Sequence, residues 1–157
     1  MTRNWPVIAL VASVAILSGC APGSGEGNAA SDEKPAQVVA VPGSDISHVV
    51  LTALAAERIG IKTEPVRAQP GAAASNTTIP AAALVYDENG AIWVFTPVQG
   101  SPTNEAGLPL TFKRERVTVS RIDSDIAFLE SGPAPGTVVV TVGVAELLGA
   151  EYGVEGE

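Results

Sequence analysis

The sequence predicts a mainly β protein, a small antiparallel sandwich or partly open barrel with one or two short helices. Valine-rich runs of strand length follow one another between residues 47 and 142, turn residues separate them, and only two short stretches carry helix signals. Valine favours strands, and short strands at this spacing are typical of all-β sandwiches and barrels. The 157 residues suffice for one such domain.

The first twenty residues are typical of an export signal. Arg3 precedes an apolar run over residues 7–17, which is about half the length needed to span a bilayer and is the length expected for the apolar region of a signal peptide. The run ends in Leu17-Ser18-Gly19-Cys20, which resembles the lipobox of bacterial lipoproteins. We therefore expect residues 1–19 to be a lipoprotein signal peptide and Cys20 to carry lipid. The alternative is an ordinary secretory signal that happens to contain a cysteine.

Charge and cysteine content agree with a lipid-anchored protein outside the cytoplasm. Cys20 is the only cysteine, and acylation explains an unpaired thiol in an exported chain. The chain after Cys20 keeps all the acidic residues and loses Arg3, so its formal charge is −9. This charge excludes a basic nucleic-acid footprint and electrostatic attraction to anionic lipid. We expect attachment through the lipid alone, to the extracytoplasmic face of the cell membrane, or to the outer membrane in a two-membrane cell.

The mature chain divides into a tether and a folded domain. Residues 20–44 are rich in Gly, Ser, Pro, Ala and charged residues, a composition that cannot bury a core. We expect a flexible tether over 20–44 and a β-rich domain over 45–153.

The domain begins with a strand, a helix and a second strand. Residues 48–51 are β-branched and short, and Thr52 is suited to cap a helix over 53–59. Gly60 fits the left-handed position that follows a helix. Pro65 restricts the next strand to an edge or an end.

A β-hairpin is the clearest prediction in the middle of the chain. Apolar runs over residues 77–98 flank Asn89-Gly90, and this dipeptide predicts a type I′ turn with positive φ at both residues. Alternation places Trp93 and Phe95 on one face of the second strand. We assign them to the core; a ligand platform is the alternative.

Further strands and one helical turn complete the predicted domain. They are a strand with a charged middle over 110–122, a turn at 123–125, a strand over 126–130, a reversal at 132–136, a buried strand over 137–142, and a helical turn over 145–148 closed by Gly149.

Four motifs occur in a fixed order along these elements. They are Gly60-Ile61-Lys62-Thr63-Glu64-Pro65-Val66, then Ile79-Pro80-Ala81-Ala82-Ala83-Leu84-Val85 with Gly90-Ala91-Ile92-Trp93-Val94-Phe95, then Phe112-Lys113-Arg114-Glu115-Arg116-Val117, and a Gly, Val-Val and Glu-Leu pattern over residues 132–147. Together they resemble the membrane-proximal part of periplasmic adaptor subunits, the haemolysin-D-like membrane fusion proteins of efflux systems. The resemblance covers nearly all of the folded part and implies a transporter or adaptor subunit as partner.

The chain departs from those adaptors in one respect. Full adaptors carry a lipoyl-like domain, a helical hairpin and a β-barrel between the two halves, whereas here a short loop joins Ala68 to Thr77. The resemblance therefore implies a truncated adaptor that cannot bridge two membranes.

The sequence shows no catalytic or metal-binding pattern. His48 is the only histidine, no nucleophile motif accompanies it, and we interpret it as a structural or surface residue. Asp123 and Asp125 lack the rest of a calcium loop, so we interpret them as a solvated turn. No Met remains after residue 20, and soft metals need such ligands. We expect no enzyme activity, no metal and no cofactor.

One charged stretch is a candidate contact site. Lys113, Arg114 and Arg116 lie close together in an acidic chain and could contact an acidic partner. The alternative is an edge strand protected by charge. The function expected from these observations is a non-catalytic accessory or assembly module of an efflux transporter. The alternative function is a stand-alone extracytoplasmic solute- or surface-binding lipoprotein.

Overall fold

Strands in the computed structural model alternate with the Gly, Pro and Asn turns that the sequence places between them. The structure describes residues 34–69, 71 and 76–153. The strands are β1 Ala36–Ala40, β2 Ser47–Leu51, β3 Lys62–Pro65, β4 Arg67–Ala68, β5 Thr77–Pro80, β6 Val85–Tyr86, β7 Ile92–Pro97, β8 Thr111–Arg116, β9 Thr118–Asp123, β10 Ile126–Ser131 and β11 Val138–Val142. The helices are α1 Ala53–Ile59 and α2 Val144–Glu151, and a 3₁₀ turn covers Ala81–Ala83.

The strands form three antiparallel groups. The largest sheet has the order β1-β2-β8-β7-β6, the second has the order β4-β5-β10-β9, and β3 pairs with β11. The prediction of a mainly β, antiparallel fold with two short helices is thus confirmed. Neither helix in the described part of the chain has the length and apolar character needed to cross a membrane.

Strand β7 connects two hydrophobic cores because its side chains alternate between faces. Phe95 is fully buried in one core, where Phe112 and Leu147 join it. Val94, the next residue along the strand, is fully buried in the second core, together with Ile79. Both faces of β7 are therefore covered, which accounts for its almost unbroken apolar sequence.

Helix α1 begins and ends at the residues that the sequence predicts. The Thr52 side chain accepts a hydrogen bond from the main-chain N–H of Ala55 at 3.1 Å, which satisfies one of the free donors of the first turn. Gly60 is left-handed with φ of 69°. Its N–H donates to the carbonyls of Ala56 and Glu57, so this end is capped as well.

The tether prediction is wrong for residues 36–40. These residues form β1, which pairs with β2 in a register that matches Ala36 to Leu51 and Ala40 to Ser47. The Gln-Val-Val sequence supplies the β-branched residues that a strand needs, although the flanking composition is polar. The rest of the predicted tether before residue 34 lies outside the described residues, as do the signal peptide and Cys20.

The single strand predicted over residues 110–122 is two strands. The chain bends at Val117, which is 4% exposed and packs in the second core. On one side of this residue β8 pairs in the large sheet, and on the other side β9 pairs with β10. Burial of Val117 in the second core accompanies the change of sheet.

Two local predictions are also corrected. The predicted hairpin is formed by β6 and β7 only, because β5 pairs in another sheet. Its turn has positive φ at Gly90 (76°) but not at Asn89, so it is not type I′. Gly149 does not close the last helix; it has no positive φ, α2 continues to Glu151, and the next left-handed residue is Gly153.

Gly90 is a testable position in this hairpin. Replacement by Val should destabilise the protein by roughly 1–2 kcal/mol, because a β-branched residue tolerates positive φ worst. Nothing lies within 4 Å of the added Cβ, so the loss reports mainly backbone strain. Denaturant melts will measure it, with Asn89→Val as the matched control at a negative φ. Equal stability of the two variants would contradict this turn geometry.

Candidate functional site

The charged stretch of β8 has a strand on both sides only at its start, because β2 pairs with β8 as far as Lys113 and β7 pairs with it as far as Arg116. Strand β8 has β2 on one side and β7 on the other. The interpretation of this stretch as a charge-protected edge strand is therefore wrong for Lys113, whereas Arg114–Arg116 extend beyond the last residue paired with β2. Because side chains alternate along a strand, Arg114 and Arg116 lie on the face shared with Phe95 and Trp93, their cross-strand partners on β7.

Arg114 is a mostly buried residue that contacts a carboxylate, a hydroxyl and two aromatic rings. Its side chain is 12% exposed and its Nε lies 2.9 Å from Oε1 of Glu151, whose side chain is 5% exposed. Its Nη1 donates to the Tyr152 hydroxyl at 3.2 Å. The guanidinium also lies 4.6 Å from the centroid of the Trp93 ring and 5.6 Å from that of Tyr152. Arg114 thus joins the sheet to the C-terminal end of α2.

Glu151 is held in an unfavourable environment for a charge. Burial raises the pKa of its carboxyl group, and the positive charge of Arg114 opposes this rise. The main-chain N–H of Ser47 faces the same carboxylate and also favours its charged form. One carboxylate oxygen, Oε2, is buried without a hydrogen-bond partner, and the Nε–H of Arg114 is not aligned for a hydrogen bond. The pair therefore depends mainly on charge.

Asp87 fixes the position of Trp93 from the hairpin turn. Its Oδ2 accepts a hydrogen bond from the indole N–H at 2.9 Å. Its Oδ1 accepts from the main-chain N–H groups of Asn89 at 2.9 Å and Ala91 at 2.8 Å. The bond from Trp93 is the main cause of a lowered pKa for this carboxyl group. The turn and the tryptophan are thus positioned by one side chain.

A pH-dependent effect follows from the lowered pKa of Asp87. A carboxyl group whose pKa is lower in the folded state stabilises the fold above its unfolded pKa, and this contribution is lost as the pH falls through the folded value. Replacement by Asn should therefore lower the melting temperature at neutral pH, and the difference should shrink as the pH falls below the ordinary value of 3.8. Melting curves between neutral and strongly acidic pH will test this. A difference that stays constant over that range would contradict it.

A groove of about 420 Å³ opens beside this cluster. One wall is the β1–β2 connection with the first residues of β2, and the other wall is the end of β8 with Trp93 of β7. The lining residues are Val41, Ser44, Ile46, His48, Trp93, Lys113, Arg114, Glu115 and Arg116. Arg116 is exposed and its guanidinium lies 5.9 Å from the Trp93 ring centroid. Lys113 is half-buried. Three basic side chains and one acidic side chain, apart from His48, therefore line one groove of an acidic protein.

The structure brings together all three residues predicted as a partner contact, but it separates their roles. Arg114 is used inside the protein by Glu151 and Tyr152. Arg116 and Lys113 line the groove, and neither forms an ion pair with another described residue. They are the cations that a partner can reach.

The remaining residues considered in the sequence are the histidine and the two aspartates of a turn. His48 lines the groove opposite Lys113, its register partner on β8. Asp123 ends β9, and with Ser124, whose φ is 54°, it forms the turn before β10. No group of three or more His, Cys, Asp or Glu side chains suited to a metal ion occurs within residues 34–69, 71 and 76–153.

A second and larger cavity, of about 850 Å³, lies between α1 and the loop over residues 104–109. Its lining is mostly small and apolar, with Leu54, Ile61 and Leu108 as the larger side chains and Glu57 and Glu105 as the charged ones. Its charged side chains are both acidic and have no basic residue beside them in the lining, whereas the smaller groove combines cations with an aromatic ring and is the better candidate site.

Comparison with known proteins found no matching family model, no matching curated protein and no matching solved structure.

Proposed function

We propose that this protein is a lipid-anchored, non-catalytic accessory or assembly module of a membrane efflux transporter. The observation that carries the proposal is the way its two halves interlock. Residues 47–68 supply β2, β3 and β4, and these strands pair with β8, β11 and β5 of residues 77–152. These are the two segments that resemble the two membrane-proximal halves of adaptor subunits.

The junction between the halves is where adaptors carry their middle domains. Strands β4 and β5 are neighbours, and the main-chain N–H of Gln69 donates to the carbonyl of Asn76 at 3.1 Å. The eight residues from Gln69 to Asn76 span at most about 28 Å, too little for a helical hairpin, a lipoyl-like domain and a barrel. The two halves close on each other, which supports a module that joins an exporter without bridging two membranes.

Co-purification tests the proposal. Tagged protein extracted from membranes in detergent should retain a multi-spanning transporter, or an adaptor subunit bound to one. Deletion of the gene should change sensitivity to an exported compound. Recovery of the protein alone, with unchanged sensitivity across a panel of exported compounds, would contradict the proposal.

The lipid anchor is tested separately at Cys20. The Cys20→Ala variant should no longer incorporate labelled palmitate and should be recovered as uncleaved or mislocalised precursor, because the lipobox cysteine is both the acylation site and the cleavage site. Unchanged processing together with undiminished palmitate label would contradict the anchor while leaving the transporter proposal standing.

The second candidate function is a stand-alone extracytoplasmic solute- or surface-binding lipoprotein. The cavity of about 850 Å³ beside α1 favours it, because that volume is within the range of small-molecule sites. Native mass spectrometry of freshly purified protein distinguishes the two functions. A retained small molecule, lost in an Ala106→Trp variant that places a large side chain in the cavity lining, would favour this alternative.

A further inference from the structure

Strand β8 has a neighbour on both sides for only part of its length. Among the described residues, β2 pairs with β8 from Thr111 to Lys113, whereas β7 pairs with β8 from Phe112 to Arg116. Strand β2 starts at Ser47, whose N–H faces the carboxylate of Glu151. The last residues of β8 therefore have a strand on the β7 side and the groove on the other.

The alternation of hydrogen bonds shows which main-chain groups face the groove. The carbonyl of Thr111 accepts a hydrogen bond from Val98, the residue after β7, and the N–H of Val117 donates to Ile92 of β7. On the other side, the carbonyl of Leu110 accepts from Leu51 at the end of β2. In β8 the main-chain groups of odd-numbered residues thus point towards β7, and those of even-numbered residues point towards β2. The main-chain groups of Arg116 consequently point into the groove, beyond the last β2 pair.

The side chains around this edge favour an acidic occupant. Arg116 is exposed, Lys113 is half-buried, and the guanidinium of Arg114 is already neutralised by Glu151. Glu115 is the acidic residue of the groove. The two available cations leave the groove positive, although the chain as a whole is strongly negative.

We propose that the groove binds an extended acidic segment of a partner protein, which adds as a short strand to the free edge of β8. Main-chain hydrogen bonds to Arg116 supply part of the affinity, and acidic side chains on the Arg116 face supply specificity, as in other cases of strand addition. Lys113 lies on the opposite face of β8 and contributes only positive charge to the groove. The inference rests on the proposed function only in assigning the segment to the transporter. Binding itself is tested with synthetic peptides, so the binding proposal and the proposed function can fail independently of each other.

The charge distribution favours a peptide over an anionic membrane surface. A bilayer extends over the whole face of the domain and meets its net negative charge. A peptide inside the groove meets mainly the charges within a Debye length of about 8–10 Å. Acidic peptide and local cations are therefore attracted, whereas the domain and an anionic bilayer repel each other at long range.

Trp93 provides the readout. The chain has two tryptophans, Trp5 in the predicted signal peptide and Trp93 on the groove wall. The chain from residue 20 onward keeps the whole compact unit over 33–157 and contains only Trp93. Its fluorescence should change on titration with a blocked eight-residue peptide of alternating Glu and Val. Peptides with Gln or Lys in place of Glu should bind roughly tenfold more weakly or not at all.

Modified peptides and matched variants separate strand addition from simple charge attraction. N-methylation of every second amide blocks one edge of the peptide, so one methylation pattern should abolish binding and the other should not. Arg116→Ala should weaken the Glu peptide roughly tenfold, whereas Arg67→Ala, an exposed cation of β4, should not.

Four binding results and one result on oligomeric state would overturn the proposal. The binding results are equal binding of the Glu and Gln peptides, equal binding of both N-methylated peptides, equal effects of Arg116→Ala and Arg67→Ala, and binding to anionic lipid vesicles that Arg116→Ala abolishes. Dimerisation of the chain through the groove, seen by sedimentation and lost in Arg116→Ala, would assign the site to a second copy and would also overturn it.

Discussion

Arg114→Ala should destabilise the folded domain by about 3–5 kcal/mol, the range found when one partner of a buried ion pair is removed. Its side chain is 12% exposed and that of Glu151 is 5% exposed, so the variant leaves a carboxylate without its cation. Contacts with the Trp93 and Tyr152 rings are lost as well. The end of α2 should then detach from the sheet before the rest of the domain unfolds.

The loss of folding stability caused by Arg114→Ala should depend on pH. Burial already raises the pKa of Glu151 while Arg114 opposes the rise; without Arg114 the carboxyl group protonates more readily. A group with a raised folded pKa stabilises the fold at low pH and loses that contribution as the pH rises. The difference between wild type and Arg114→Ala should therefore be largest at neutral pH and smaller in acid.

Urea melts at several pH values will measure this effect. The matched control is Arg116→Ala, two residues along the same face of β8, where the arginine is exposed and the loss should be below about 1 kcal/mol. Equal losses at the two positions would contradict the assignment of Arg114 to the interior and Arg116 to the groove.

Gly143→Ala should be the second strongly destabilising change, by about 2–4 kcal/mol. This residue has φ of 93° and precedes α2. An added Cβ would lie within 2.8 Å of two side-chain carbon atoms of Ile59 and Ile61. The variant therefore combines backbone strain with overpacking at the junction of both helices.

Gly149→Ala is the matched control and should have the opposite sign. Gly149 lies inside α2 and has nothing within 4 Å of a built Cβ. Alanine in a helix interior is about 0.5–1 kcal/mol more favourable than glycine. Thermal melts should show Gly143→Ala well below wild type and Gly149→Ala slightly above it. Two variants of similar stability would contradict the structure around α2.

The parts of the fold that sequence could predict are those governed by short-range chemistry. Thr52 and Gly60 mark the ends of α1 because capping depends on a few neighbouring residues. The turn at residues 123–125 was predictable for the same reason. Pairing between distant segments is different. For the charged stretch the edge strand remained an open alternative, because nothing in Lys113–Arg116 reveals that β7 flanks all of it and β2 only its first residue.

The candidate site was predicted in its residues but not in its organisation. The sequence marked Lys113, Arg114 and Arg116 as a charged group. It gave no signal that Glu151 and Tyr152 would reach Arg114, because α2 follows β8 by almost thirty residues and was expected to end at Gly149. The Asp87–Trp93 bond, which spans six residues across a hairpin, was within reach of sequence reasoning once the turn was recognised.

Site-specific photocrosslinking in intact cells tests the central claim, that this protein contacts a membrane transporter through the groove beside β8. A photoreactive residue at Ser44, which is exposed and lines the groove, leaves both Arg114 and Arg116 in place. Glu130, exposed on β10 in the second sheet, is the matched control. The account predicts capture of a multi-spanning transporter, or of its adaptor subunit, from position 44 and not from position 130. Capture of only soluble proteins from position 44, or the same products from both positions, would contradict it.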